Sequence, residues 1–129
     1  MSEKKIKVLI VDDEAIYIMA LGQILSPNYT LFAVKTGKDA VENAEKCLPD
    51  AVLLDIIMPD MDGYETLAAL KNSERTKNIP VIFISSLAQD ADVKKGMDMG
   101  AADYIFKPFT ADVVLQKIKE ALEFSLLPL

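Results

Sequence analysis

The chain has 129 residues, 51% of them apolar and 26% charged, with a net charge of −6, no histidine and a single cysteine, Cys47. That length supports one domain around one sizeable core, and the acidic balance argues against nucleic-acid binding and against docking on anionic lipid. Without His and with one Cys, a His/Cys zinc site, a His-based triad and an intramolecular disulfide are all excluded, the last in keeping with a reducing cytoplasm.

The N-terminal Met-Ser-Glu-Lys-Lys is charged, and the apolar stretch after it is broken by Lys7 and stopped by Asp12, so it does not read as a signal peptide. Ile6 to Val11 is short, rich in β-branched residues and nearly continuously apolar, the pattern of a strand buried on both faces. Asp12-Asp13 ends it, and a helix is expected from Glu14 to about Leu25, stopped by Ser26-Pro27-Asn28. A second strand is expected over Tyr29 to Val34. Thr36-Gly37-Lys38-Asp39 then opens a helix to about Cys47, which reads as a small, partly buried filler.

Leu48-Pro49-Asp50 breaks the chain before a third buried strand, Ala51 to Leu54, that ends at Asp55. A loop with Pro59 and Gly63 leads to a helix from about Tyr64 to Lys71. Pro80 precedes a fourth strand, Val81 to Ile84, ending at Ser85-Ser86. A helix from about Asp90 to Met99 is stopped by Gly100, a short fifth strand covers Asp103 to Phe106, and Thr110 caps a last helix reaching about Phe124. No run approaches the roughly 18 apolar residues of a membrane span.

Buried strands alternating with helices imply an α/β fold in which helices cover both faces of a parallel sheet. With no repeat and no change of composition, residues 1–129 read as one domain, with a core of about 5–122 and a tail or linker start over 123–129. In such sheets ligands bind outside the carboxyl ends of the strands. Asp12 and Asp13, Asp55, Ser85 and Lys107 all fall at such ends.

Three carboxylates on neighbouring strand ends repel one another unless a cation sits among them. Hard oxygen donors suit Mg2+, with Mn2+ as the alternative. Lys107 adds a fixed positive charge and Ser85 a hydroxyl donor. Metal, ammonium and hydroxyl together would clamp a transferring phosphoryl group. A carboxylate can accept that group as an acyl phosphate, and Asp55 is the central candidate. Taken alone, each residue has a plainer reading: Asp12-Asp13 as a helix-capping pair, Asp55 as a loop residue.

Four segments resemble a known family, the receiver domains of two-component response regulators, and in particular the chemotaxis-regulator type. They are Val-Asp-Asp at 11–13, Leu-Leu-Asp-Ile-Ile-Met-Pro-Asp-Met-Asp-Gly at 53–63, Pro-Val-Ile-Phe-Ile-Ser at 80–85 and Gly-Ala-Ala-Asp-Tyr-Ile-Phe-Lys-Pro-Phe at 100–109. The resemblance runs from about Lys5 to Leu122 and lacks no part of the family pattern. It implies a doubly wound, flavodoxin-like sheet of five parallel strands in the order 2-1-3-4-5. It implies a metal held by Asp12, Asp13, Asp55 and the backbone carbonyl of Ile57, and phosphorylation of Asp55 by a histidine kinase or phosphotransfer protein, assisted by Lys107. Ser85 and Tyr104 match the family's switch hydroxyl and switch aromatic, whose ring would move in from solvent on phosphorylation. The output would be a downstream protein, an attached domain or a phosphorylation-dependent dimer.

The residues also set expectations of their own. The first helix is apolar almost all round. With Tyr17, Leu21, Ile24 and Leu25 against the sheet, Ala15, Ile18, Met19 and Gly22 would face outward as a docking surface. The family resemblance adds the loop of Pro108 and Phe109 to that surface. Ile57 and Leu87, two positions past the acceptor and the switch hydroxyl, cannot orient a water and would shield the phosphorus, giving a long-lived phosphorylated form. An aspartate-nucleophile phosphatase needs an acid two residues past its nucleophile, and position 57 is Ile. Flavin or nucleotide binding needs a phosphate loop after the first strand, where Asp-Asp-Glu would repel phosphate. A metal-dependent docking module that is never phosphorylated is the remaining alternative.

Overall fold

The structure, a computed structural model, describes residues 5–125; the charged N-terminal residues 1–4 and most of the expected tail, 126–129, lie outside the described residues. Five strands and five helices alternate: β1 (Lys7–Val11), α1 (Ala15–Leu25), β2 (Thr30–Val34), α2 (Gly37–Cys47), β3 (Ala51–Asp55), α3 (Gly63–Lys71), β4 (Val81–Ser85), α4 (Asp90–Asp98), β5 (Asp103–Phe106) and α5 (Ala111–Ser125). All strand pairs are parallel, in the order β2-β1-β3-β4-β5. The element boundaries agree with the sequence reading to within about one residue, and α5 continues through Leu122 without a break.

The apolar runs explain why β3 and β4 are buried along their whole length. Successive side chains point to opposite faces, so each run feeds two cores. On one face Leu9, Val52, Leu54 and Phe83 meet Ala40 and Ala44 of α2 and Leu67 and Leu70 of α3. On the other, Ile10, Leu53, Ile82 and Ile84 meet Leu21 and Leu25 of α1 and Val114 and Ile118 of α5. Each fully buried aliphatic side chain contributes about 1.5–3 kcal/mol, enough for these layers to fix where every strand ends.

Local chemistry sets the helix starts. The Thr36 hydroxyl accepts from the Asp39 N–H at 3.0 Å, and Asp62 and Glu65 form a reciprocal capping box at the start of α3. Gly63 lets that helix begin directly against the end of β3. A Cβ there would lie 2.5 Å from the Asp55 carbonyl oxygen and 2.6 Å from Ile56 Cα. Its N–H donates to the Ile56 carbonyl at 2.7 Å, closing the loop that follows Asp55.

One expectation for α1 is corrected. Ile18 does not face outward; it packs against the core with Leu21 and Leu25, which follow it at helical spacing. Ile16 and Met19 take the outward positions, at 71% and 65% exposure.

Candidate functional site

The backbone carries Asp12, Asp55 and Lys107 to one end of the sheet, because β1, β3 and β5 run parallel and stop at the same level. Asp12 follows β1, Asp55 is the last residue of β3 and Lys107 follows β5. Asp12 is 2% exposed and Asp55 5%. The Lys107 ammonium lies 2.9 Å from Asp12 Oδ2 and 3.5 Å from Asp55 Oδ1. Asp12 Oδ1 accepts from the Glu14 N–H at 2.9 Å, so one oxygen of this carboxylate holds the chain entering α1 while the other holds the lysine.

Carboxylate oxygens of Asp12, Asp13 and Asp55 all lie within 4.8 Å of one another. Burial raises the Asp55 pKa to about 6, and repulsion from Asp12 adds to it, against the opposing pull of Lys107 and a hydrogen bond from the Ile57 backbone. Burial works against the Lys107 ammonium, but the Asp12 hydrogen bond and the charges of Asp55 and Asp12 outweigh it and raise its pKa. A buried acid cluster left with one lysine is electrostatically incomplete. The donor set, all hard oxygens and no His or Cys, fits a small hard cation.

A cleft of about 220 Å³ opens over these groups, lined by Asp13, Glu14, Tyr17, Asp55, Ile57, Ser86 and Lys107. Three of these were not anticipated. Glu14 and Tyr17 come from the start of α1, and Ser86 follows the expected switch residue. The available signal for the tyrosine was its place in the first turn of the helix that follows Asp12-Asp13.

Ser85 is fully buried and lines no part of the cleft; its Oγ accepts from the Leu87 N–H at 3.2 Å. Tyr104 does not stand in solvent, from which its ring was expected to move in on phosphorylation. Its ring is only 5% exposed, between Phe83 and Phe106, and its hydroxyl donates to the Leu87 carbonyl at 2.6 Å, with Ser85 as a further hydrogen-bond partner. Burial raises the Tyr104 pKa. Phe106, at 46% exposure, is the aromatic that meets solvent on β5.

The expected shielding pair also divides. Ile57 is 54% exposed and walls the cleft, whereas Leu87 is half-buried against the core and lines no part of the cleft. Among the expected docking residues, Ala15 and Met19 are exposed and Gly22 is half-buried. Pro108 is exposed after a cis peptide bond, and Phe109 packs against the core with its ring 6.2 Å from that of Tyr17.

A five-stranded parallel sheet with an acidic cluster and a lysine at its carboxyl end defines the class of receiver-like α/β switch proteins. The response regulator receiver domain matches this chain over residues 8–119, and the chain belongs to that family, the receivers of two-component signalling. It is 37% identical over 116 residues to a probable cyclic di-GMP phosphodiesterase of Vibrio cholerae, covering 90% of this chain and 26% of that protein. It is 31% identical over 121 residues to the response regulator PleD of Caulobacter vibrioides, covering 93% of this chain and 27% of that one. The chain thus spans about a quarter of the length of these curated relatives. Among solved structures, a putative response regulator from Chloroflexus aurantiacus superposes with a TM-score of 0.88 at 28% identity, covering 93% of this chain and 99% of that one. The chemotaxis protein CheY4 of Vibrio cholerae superposes with a TM-score of 0.87 at 25% identity, covering 92% of this chain and 100% of that one. The fold is the CheY-like, flavodoxin-type one, and Asp12, Asp13 and Asp55 form the acidic pocket typical of a phosphoacceptor site.

Proposed function

We propose that Asp55 accepts a phosphoryl group from the phosphohistidine of a kinase or phosphotransfer protein, and that the modified domain controls a partner or an attached output domain. The observation that carries this is the buried Asp55 carboxylate, raised to a pKa of about 6, next to Asp12 and the Lys107 ammonium at 3.5 Å. In the transfer, an Asp55 oxygen forms the new bond to phosphorus as the P–N bond of the donor breaks. The electron pair stays on the imidazole nitrogen.

Asp12, Asp13, Asp55 and the Ile57 carbonyl would hold Mg2+, or Mn2+ in its place. The ion when bound neutralises the acid cluster and the charge of the phosphoryl oxygens. Lys107 stabilises a second phosphoryl oxygen. Ser85 supplies the switch: its hydroxyl would leave Leu87 and Tyr104 and turn to the phosphoryl group. Because the Tyr104 ring is already inside, the change would reach the surface through its bond to Leu87 and its contact with Phe106 rather than through entry of the ring from solvent.

Ile16 and Met19, exposed on α1, with Ala15 and Pro108, support α1 as the face that meets the kinase. The bulk of Ile57 at the cleft wall supports a long-lived phosphorylated form. In this reading the protein is cytoplasmic and regulatory, with residues 1–129 as one receiver domain; no described helix is long and apolar enough to cross a membrane. The test is intact-protein mass after treatment with acetyl phosphate and Mg2+. A gain of about 80 Da, absent in Asp55→Asn, is expected. An unmodified wild type that still binds Mg2+ would instead indicate a docking module that is never phosphorylated.

A further inference from the structure

Tyr17 is not one of the residues that bind or accept in the reading above, yet its side chain forms a wall of the same cleft. The Lys107 ammonium sits 3.8 Å from the centre of its ring, a close cation–π contact. Phe109 leans on the tyrosine, with ring centroids 6.2 Å apart and planes inclined at 53°. Phe109, two residues past Lys107, thus backs the tyrosine ring that lies against the lysine. Lys107 is otherwise held by two anions, and the nearer, Asp12 at 2.9 Å, is not the acceptor.

A lysine has a long flexible stem and its ammonium is a point charge with three donors. Held by Asp12 alone, it would turn toward the metal-binding carboxylate and away from the phosphoryl group. A ring face attracts the ammonium through its quadrupole without taking an N–H in a directed bond, so the donors stay free for oxygen. We propose that Tyr17 is a positioning residue for phosphoryl transfer: its ring face holds the Lys107 ammonium over the cleft, where it meets the phosphoryl oxygen arriving at Asp55. This rests on the reading of Asp55 as the acceptor.

The experiment compares wild type with Tyr17→Phe, which keeps the ring, and with Tyr17→Leu and Tyr17→Met, which remove it. Initial rates of mass gain are measured with acetyl phosphate at saturating Mg2+, Mg2+ affinity is titrated, and the NMR shift of the Lys107 ε-methylene reports its place over the ring. Tyr17→Phe should react within about twofold of wild type, and the two aliphatic variants roughly three- to tenfold more slowly, the span of a partly desolvated cation–π contact. Mg2+ affinity should not change, and the ring-current shift should survive only in Tyr17→Phe. Wild-type rates in both aliphatic variants would overturn the proposal, as would Tyr17→Phe being as slow as they are. Loss of folding in one aliphatic variant leaves the other to decide. A wild type that shows the ring-current shift but gains no mass refutes Asp55 as acceptor and the proposal with it. A wild type that gains mass but shows no such shift refutes the role of Tyr17 alone.

Discussion

Replacing Asp55 with Asn should make the metal-free protein more stable at neutral pH and leave it unchanged near pH 4. The Asp55 pKa rises from an ordinary 3.8 to about 6 on folding, chiefly through burial and then through Asp12. Between those values the folded chain keeps a proton that the unfolded chain has released. Stability is therefore greatest below about pH 4 for this group, and it falls as pH rises through 6. A shift of roughly two units corresponds to about 3 kcal/mol, and the carboxylate is buried enough for most of that to survive solvent screening. Asn has nearly the same shape and no charge. The variant should gain about 2–3 kcal/mol at pH 7.5, a net value that already contains the opposing pull of Lys107 at 3.5 Å. Urea unfolding of both proteins in chelator at pH 4, 5, 6 and 7.5 measures the difference directly, with other titrating groups common to both. A gain that is flat with pH, or an Asn variant less stable than wild type at pH 7.5, would refute the electrostatic account.

Gly63→Ala should destabilise by about 1–3 kcal/mol, because its Cβ meets backbone atoms at 2.5 and 2.6 Å that cannot rotate away; denaturation and the mass-gain rate should both register the displaced Asp55. Met19→Lys should leave stability within about 0.5 kcal/mol and slow transfer from a kinase without slowing acetyl phosphate, whereas Ile18→Lys should unfold more readily because Ile18 packs into the core. Ile57→Asn should shorten the life of the phosphorylated form several-fold, read as phosphate release. Leu87→Glu should instead show its effect as lost stability, since that side chain packs, half-buried, against the core and not at the cleft.

The strand ends were legible because β1, β3 and β4 are short apolar runs whose stops are polar residues. Asp12, Asp55 and Lys107 needed only parallel strands to be brought together. The facing of α1 was not legible, for the same reason that the helix was interesting. With apolar residues all round, helical spacing sets which residues share a stripe but not which stripe meets the sheet. Ile18, expected outward, therefore packs against the core, Ile16, given no face, points outward, and Tyr17, assigned to the sheet, was missed as a cleft residue. The local contacts of Ser85 and Tyr104 were not legible either. Sequence places Ser85 at a strand end, but its hydroxyl turns to the Leu87 N–H two residues on, a local bond that spacing does not reveal. Tyr104 lies on the edge strand β5, where burial depends on the cover from α4. Gly96, the buried residue of that helix, brings it within 2.9 Å of the Phe83 ring as measured from an ideal Cβ.

The charge around the cleft ties these points to one last expectation. Asp12, Asp13, Glu14 and Asp55 stand against the single ammonium of Lys107 there, so an anionic donor meets net repulsion unless a cation is already bound. The four acids do not contribute equally. Asp12 and Asp55 are buried and interact through a medium of low effective dielectric, while Asp13 and Glu14 face water and are screened by salt. Asp13→Asn should therefore raise metal-free stability much less than Asp55→Asn, and its gain should fade as salt is added while that of Asp55→Asn persists. Mg2+ should stabilise the wild type by an amount that grows with its concentration and should do so less in either variant, since each removes a ligand along with a repulsion. Thermal melts across Mg2+ and NaCl series separate these effects. Equal, salt-insensitive gains for the two variants would mean that exposure does not grade the repulsion, and no shift with millimolar Mg2+ would remove the metal from the account.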